Sequence, residues 1–307
     1  MAKFSNRQKT FHKEDRILRR ENRGEEMKPL MDFLIATLTD FKRNDIKKWL
    51  KFGQVKINGD ISTAFDAEVG PGALVEVNLT RSFPVFKNSR IELVYEDDDI
   101  IVINKGYGLL SVSTLSHKQE ENAYDIVRNY VKSVNPKNKL FIVHRLDRDT
   151  SGLMMFAKTE ESQEVLRHNW NNMILERLYV AVLEGYLEKD KGYVKSRLAE
   201  NSQFVVYTTD NPEEGKLAVT HYEVLGRGNG FTLAQFSLDT GRKNQIRVHA
   251  SELGHPIAGD KKYGATKSPL HRLALHARTL RFAHPITRKD MSFETPIPQK
   301  FAAAIRK

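Results

Sequence analysis

From Ile91 onward the sequence is cut into short apolar runs by Gly, Asn and Asp, and this pattern limits the fold more than any other feature. "RLYVAVLEGYL", "GYVKSRLAE", "SQFVVYTT", "LAVTHYEVLG" and "FTLAQFSLDTG" follow one another with turn residues between them. Runs of this length, rich in β-branched and aromatic residues, read as strands. "IELVYEDDDIIVINK" reads as strand, acidic turn and strand, "GLMMFAKT" as another strand, and "RLALHARTLRFAHP" as a late one. Helical spacing appears in "EESQEVLRHNWNN" and in "NQIRVHASELG", which stops at Gly254. Many strands with a few inserted helices predict an α+β domain over residues 91–307, built on a mixed, mostly antiparallel central sheet.

A second, smaller pattern precedes it. "LMDFLIATL" has helical spacing. "RNDIKKWLKFG" reads as a second helix, with Asn44 as its cap and Gly53 as its stop. "VKING" runs into an Asn58-Gly59 turn, which favours a hairpin, and "FDAEVGPGALVEVNL" adds a turn and a strand. Residues 29–80 are therefore expected to form a small α/β module, joined to the larger domain by a linker at 81–90 that contains Pro84. Residues 1–28 carry nine Lys or Arg against five Asp or Glu and little apolar material, so they read as a flexible basic arm, with a loose helix as the alternative.

The formal net charge of +10 and pI near 9.5 point to a polyanionic partner, with nucleic acid first among them. Lys42, Arg43, Lys47, Lys48 and Lys51 gather near one side of the second helix. They form either a solvated face or a phosphate-contact face for RNA. The absence of cysteine excludes disulfides, thiolate zinc sites and cysteine nucleophiles. No apolar run is long enough to span a bilayer, and the N-terminus has no signal-like apolar core, so a soluble, cytoplasmic protein with no membrane partner is expected. A monomer is expected as well.

The densest polar stretch is "HRLDRDTSG", His144 to Gly152, set between the apolar "KLFIV" and "GLMMFA". A charged loop anchored by core elements on both sides is either a surface turn or a functional loop on a rigid scaffold. Two other segments are dense in Gly, Arg and His: "DTGRKNQIRVHASELGHPIAGDKKYG" and "LHRLALHA". Their histidines show no HxxxH or HExxH spacing, which argues against a zinc hydrolase.

Taken in order, "EDDDIIVINK", "VHRLDRDTSGLMMFAKT", "YVAVLEG", "TGRKNQIRVHASELGHPIAGDKKYG" and "LALHA" resemble the RNA pseudouridine synthases of the RluA type, from about Ile91 to Pro298. Residues 30–78, with "G.V.ING", resemble the small S-four-like RNA-binding domain. The resemblance implies an isomerase that needs neither metal nor redox cofactor. Uridine within RNA, most often large-subunit ribosomal RNA and alternatively transfer RNA, is detached at ring nitrogen 1, turned, and rejoined through carbon 5. A glycosidase-like enzyme would instead release free base, and a non-catalytic assembly factor would only bind.

By family position Asp147 is the nucleophile, Arg247 holds it charged through paired hydrogen bonds, and Tyr179 stacks on the base. Ile246 packs against the flipped base, and Arg145 either fills the vacated stack or contacts phosphate. Asp149 is expected to hold the turn by side-chain-to-backbone bonds, and His144 to be structural. Two positions depart from the family pattern. Gly106 stands where Pro is usual, and Asn244 where His is frequent, which removes any titrating role at that position.

Overall fold

The computed structural model describes residues 16–113 and 120–306, which divide into two compact units at Val85/Phe86. In the first unit β1 (Ile17–Glu21), β2 (Lys28–Pro29), α1 (Leu30–Thr37) and α2 (Arg43–Lys51) precede β3 (Val55–Ile57), β4 (Asp60–Ile61), β5 (Glu68–Val69) and β6 (Leu74–Asn78). A four-stranded sheet runs β1-β6-β3-β4, and β2 pairs with β5. Leu30, Phe33 and Leu34 of α1 and Ile46, Trp49 and Leu50 of α2 pack on Val55, Val75 and Val77 of the sheet. Asn58 and Gly59 both take positive φ, at 50° and 92°, the geometry that joins β3 and β4 by a two-residue turn.

Two expectations are corrected here. Residues 17–28 are not a free arm: β1 pairs antiparallel with β6 from Ile17↔Asn78 to Glu21↔Leu74, forming a sheet edge, and Lys28 pairs with Val69. The remainder of the expected arm, residues 1–15, lies outside the described residues. Asn44 does not cap α2. It lies inside the first turn, and the Asp45 carboxylate accepts the Lys42 N–H at 3.3 Å instead.

The second unit is built on an eleven-stranded sheet. Its elements are β7 (Ile91–Glu96), β8 (Ile100–Lys105), α3 (Ala123–Val134), β9 (Phe141–Ile142), β10 (Ser151–Ala157), α4 (Glu160–Met173), β11 (Ile174–Glu184) and β12 (Lys191–Glu200). There follow β13 (Val206–Thr209), β14 (Lys216–Gly228), β15 (Phe231–Leu238), α5 (Gln245–Glu252), β16 (Leu275–Ala283), β17 (Asp290–Glu294) and α6 (Gln299–Ala304). The order is β13-β12-β14-β15-β11-β16-β10-β8-β7, with β17 also on β16 and β9 on β10. The sheet is mixed and mostly antiparallel, as expected; β10 and β16 form its parallel pair.

The central strands read as unbroken apolar runs because both faces are covered. Ile101 and Ile103 of β8, with Met154 and Phe156 of β10, face α3 and its buried Ala123, Val127 and Val131. Ile100, Val102, Leu153 and Met155 point the other way, towards Leu166 of α4 and Phe282. Both helices start on side-chain caps: Asn122 accepts from Asp125 N at 3.0 Å and Thr159 from Ser162 N at 3.1 Å. A third core, formed by Val180, Val182, Leu233, Phe236 and Leu275, seats Ile246 and Ala250 of α5 and Phe301 of α6. No helix among the described residues is long and apolar enough to cross a membrane.

Gly152 fixes where the charged loop ends. Its φ is +118°, and a Cβ there would lie 2.1 Å from Ala277 O and 2.6 Å from Ala277 N. Only a residue without a side chain lets β10 approach β16 this closely.

Candidate functional site

The loop from His144 to Gly152 is held from four directions by buried groups. The Ser111 hydroxyl donates to Leu146 O at 2.6 Å and accepts Leu146 N–H at 3.1 Å, clamping the residue before Asp147. The fully buried Lys105 ammonium donates to Arg148 O at 3.1 Å, and to Leu109 O and Gly106 O at 2.9 and 3.0 Å. Thr150 N–H donates to Asp147 O at 3.2 Å, closing the turn. His144 Nε2 accepts Met155 N–H at 3.0 Å, which fits the expected structural role.

The fourth anchor is a directional chain. Arg272 Nη2 donates to Ser151 Oγ, Ser151 to His276 Nδ1, and His276 Nε2–H to Thr295 Oγ1, each at 2.8 Å. Thr295 then donates to Arg278 O at 3.2 Å. Every member is satisfied only if His276 is neutral with its proton on Nε2. Burial first, then the charges of Arg272 and Arg278, push His276 down to about 4. Burial pushes Lys105 down to about 7, with Asp149 and Asp147 pulling the other way.

Asp147 opens into a pocket of about 270 Å³. Its lining includes the polar Arg242, Asn244 and Arg247 and the largely apolar Tyr179, Leu238, Ile246 and Leu275, and Arg145 lies exposed at the loop itself. Thus Asp147, Arg145, Tyr179, Ile246 and Arg247, separated by up to 102 positions in the sequence, line one cavity. Tyr179 reaches it from a bulge: the pairing of β11 with β16 shifts between Leu178↔Thr279 and Tyr179↔Ala277. Burial holds its phenol above the ordinary range, Arg177 opposes that, and Asp147 adds to it. The lysines and arginine of α2 belong to the first unit.

The Arg247 contact differs from expectation. Its paired hydrogen bonds go to Asp260, at 2.7 Å from both Nε and Nη2, and Asp147 receives one longer contact of 3.4 Å from Nη1. The Asp260 side chain is 1% exposed. Burial alone would lower the Arg247 pKa, but the hydrogen bonds and charge of Asp260, with Asp147 and Tyr263 adding, hold it above the usual range. The Tyr263 ring lies 4.9 Å beneath the guanidinium. Arg247 is therefore a fixed cation, oriented by Asp260 and offered to Asp147.

Asn244 is closer to Asp147 than Arg247 is. With its amide oriented so that every donor and acceptor is satisfied, Nδ2 donates to the Asp147 carboxylate at 2.7 and 3.2 Å and Oδ1 accepts from Tyr263 Oη at 2.8 Å. Its left-handed backbone, φ 53°, places it at the start of α5. A permanent donor stands where a histidine would titrate.

Asp149 does not hold the turn. Among the described residues its side chain makes no hydrogen bond; it faces a neighbouring groove. Sequence reading passed over Asp260, Tyr263, Lys105 and Ser111. Asp260 and Tyr263 were inside the quoted "HPIAGDKKYG", but nothing in a linear pattern says which acid an arginine thirteen residues away will choose. Lys105 carried the only signal of the other two, a lysine ending a mostly apolar strand.

Buried histidines give the fold a measurable acid limit. His276 and His249 are depressed to about 4, both by burial first, and His144 to about 3 by burial and Arg177. All three are neutral when folded, whereas unfolded histidine titrates near ~6.5. Their contribution is complete above pH ~6.5 and is lost as pH falls towards 4, because the unfolded chain then binds protons the folded chain refuses. Near pH 5 the three together should remove up to about 4 kcal/mol per pH unit. Urea midpoints at pH 7, 6 and 5 are expected to fall steeply, and His276→Gln to flatten the slope by about a third; equal midpoints would contradict neutral burial.

Comparison with known proteins finds relatives along most of the chain. The RNA pseudouridylate synthase family model matches residues 99–252. A Bacillus subtilis protein described as the uncharacterized RNA pseudouridine synthase YlyB is 34% identical, covering 89% of this chain and 91% of the relative. The ribosomal large subunit pseudouridine synthase D of Pasteurella multocida is 34% identical, over 90% of each chain. Human RNA Pseudouridylate Synthase Domain Containing 4 shares the fold, with a TM-score of 0.57 at 23% identity over 69% of this chain and 90% of that one.

Proposed function

The chain belongs to the RNA pseudouridylate synthase family and is an isomerase, and from that premise we propose that it converts specific uridines of large-subunit ribosomal RNA to pseudouridine with Asp147 as nucleophile. The observation that carries the assignment is the Asp147 carboxylate at the pocket, held by Asn244 and Arg247 in a cavity that Tyr179 and Ile246 also line. A carboxylate fixed by two donors is oriented and available to attack. The apolar part of the lining accepts a flipped base, with Tyr179 stacking and Ile246 packing against it. Flipping costs a few kcal/mol of stacking. Arg145, exposed beside Asp147 and without an ion pair among the described residues, fills the vacated place.

Relatives named for the large ribosomal subunit, 34% identical over at least 90% of the chain, support that RNA as substrate. The test is direct. Purified chain should form pseudouridine in a large-subunit RNA transcript and not in unmodified transfer RNA. Modification of transfer RNA alone would overturn the substrate class and leave the chemistry standing.

The first unit supplies affinity in this reading, as an S-four-like RNA-binding module. α2 buries Ile46, Trp49 and Leu50 and exposes Lys42, Arg43, Lys47, Lys48 and Lys51. Among the described residues none of these cations is ion-paired. If three of them contact phosphate, changing Lys47, Lys48 and Lys51 together to Gln should lower the slope of log affinity against log salt by about 2 to 3. Filter binding at several salt concentrations reads this; an unchanged slope would remove α2 from the RNA interface.

A further inference from the structure

A second groove adjoins the nucleophile pocket and shares Arg247 with it as a wall. It encloses about 570 Å³ and is lined by Tyr107, Arg148, Asp149, Lys261, Lys262 and Arg272, among others. Two of its cations are spoken for: Arg247 by Asp260, and Arg148 by Glu120 at 3.2 Å. Among the described residues Lys261, Lys262 and Arg272 form no salt bridge; Lys262 Nζ donates to Phe204 O at 2.9 Å and Arg272 feels the charge of Asp149, yet the three cations outnumber that one acid. The groove is cationic.

Its aromatic residue is unusual in being both exposed and rigid. Tyr107 is 55% exposed, on the turn that follows β8. Gly106 N–H donates to Arg90 O at 2.7 Å, and Arg90 Nη2 donates to Gly108 O at 3.0 Å, so the turn is pinned on both sides of the tyrosine. The Arg272 guanidinium covers one ring face at 4.4 Å. That guanidinium is itself fixed by Ser151 Oγ, Leu273 O and Leu275 O. An exposed ring with a cation behind it is polarised to receive a second flat, electron-rich group on its open face.

We propose that this groove binds the nucleotide next to the target uridine, with its base stacked on Tyr107 and its phosphate held by Lys261 and Lys262. The inference rests on the RNA-modifying reading above and adds a subsite to it. Extracting one base leaves its neighbour with an uncovered face, and an aromatic ring at the edge of the pocket replaces the lost stack without reading sequence. Lys261 and Lys262, on the 3₁₀ turn that also carries Tyr263, neutralise the backbone beside it. The chain would thereby hold its RNA at the flipped position and at the adjoining one.

The probes are two versions of the shortest large-subunit RNA fragment that the enzyme modifies. One carries 2-aminopurine at the 5′ neighbour of the target and the other at the 3′ neighbour. Full-length enzyme should quench the fluorophore at one of the two positions. Tyr107→Leu should abolish that quenching and raise KM about 10-fold, with the single-turnover rate at saturating RNA within about twofold of wild type. Tyr107→Trp should restore both. Lys261→Gln with Lys262→Gln should lower the salt slope of binding by about 0.7, the value for one single-strand phosphate contact. Equal quenching by wild type and Tyr107→Leu at both positions, or an unchanged salt slope in the lysine pair, overturns the subsite. A wild-type chain inactive on every RNA overturns the functional reading and the subsite together; an active wild type with silent variants overturns the subsite alone.

Discussion

Asp147→Asn is expected to reduce pseudouridine formation by about 10⁴-fold or more while leaving the protein folded and RNA-competent. The separation follows from how Arg247 is held. Its paired bonds run to Asp260, so loss of the Asp147 charge does not leave a buried guanidinium uncompensated. Asp147 itself is about one-third exposed, and its removal opens no cavity. Stability should therefore stay within about 1 kcal/mol of wild type. RNA affinity should be equal or tighter, because a negative charge has been removed from a pocket that receives a polyanion. Single-turnover assays with denaturation and filter binding on the same preparation read all three quantities. A variant that keeps a tenth of the wild-type rate would remove Asp147 from the chemistry.

Gly152→Ala carries the largest structural effect. A methyl group there meets Ala277 O at 2.1 Å and N at 2.6 Å, and both atoms belong to the backbone of β16, which cannot swing aside as a side chain can. The strand pair must separate, and with it the end of the loop that carries Asp147. A loss of more than about 4 kcal/mol is expected, read as a fall in Tm of at least about 10 °C or as insoluble protein. Gly254→Ala separates this from a backbone effect. Gly254 also has positive φ, 77°, but no atom lies within 4 Å of its would-be Cβ, so that variant should lose only about 1 kcal/mol. Equal losses at the two positions would mean that conformation, rather than the β10–β16 approach, makes Gly152 necessary.

Much of the fold was legible because its period is short and its punctuation strong. β8 and β10 could be read from their apolar runs, and the Asn58-Gly59 turn from two residues that tolerate positive φ. The same chemistry closes β14 onto β15 at Asn229-Gly230, with φ of 53° and 78°. α3 was not singled out, although Asn122 followed by Ala123, Val127 and Val131 offered both a cap and a helical stripe. β1 was hidden by composition: an edge strand in "ILRRE" pairs through its backbone and leaves Arg19, Arg20 and Glu21 exposed, so hydropathy gives it no mark.

The pocket residues were legible through the family motifs, and their partners were not. Which acid Arg247 takes depends on where the turn after Gly259 brings Asp260, and that turn is set by tertiary contact: a Cβ at Gly259 would strike Arg272 O at 2.2 Å. Asn244 read as the loss of a titrating group. In the fold it is a fixed donor to Asp147, a role that appears only once its left-handed backbone turns the amide towards the loop.

The most direct test of Asp147 as the nucleophile of an RNA-modifying enzyme is a map of pseudouridines across total RNA from cells with the gene deleted, restored, and restored as Asp147→Asn. Specific pseudouridines in large-subunit ribosomal RNA should vanish on deletion, return with the intact gene, and stay absent with the variant. Their return with Asp147→Asn would contradict the assignment.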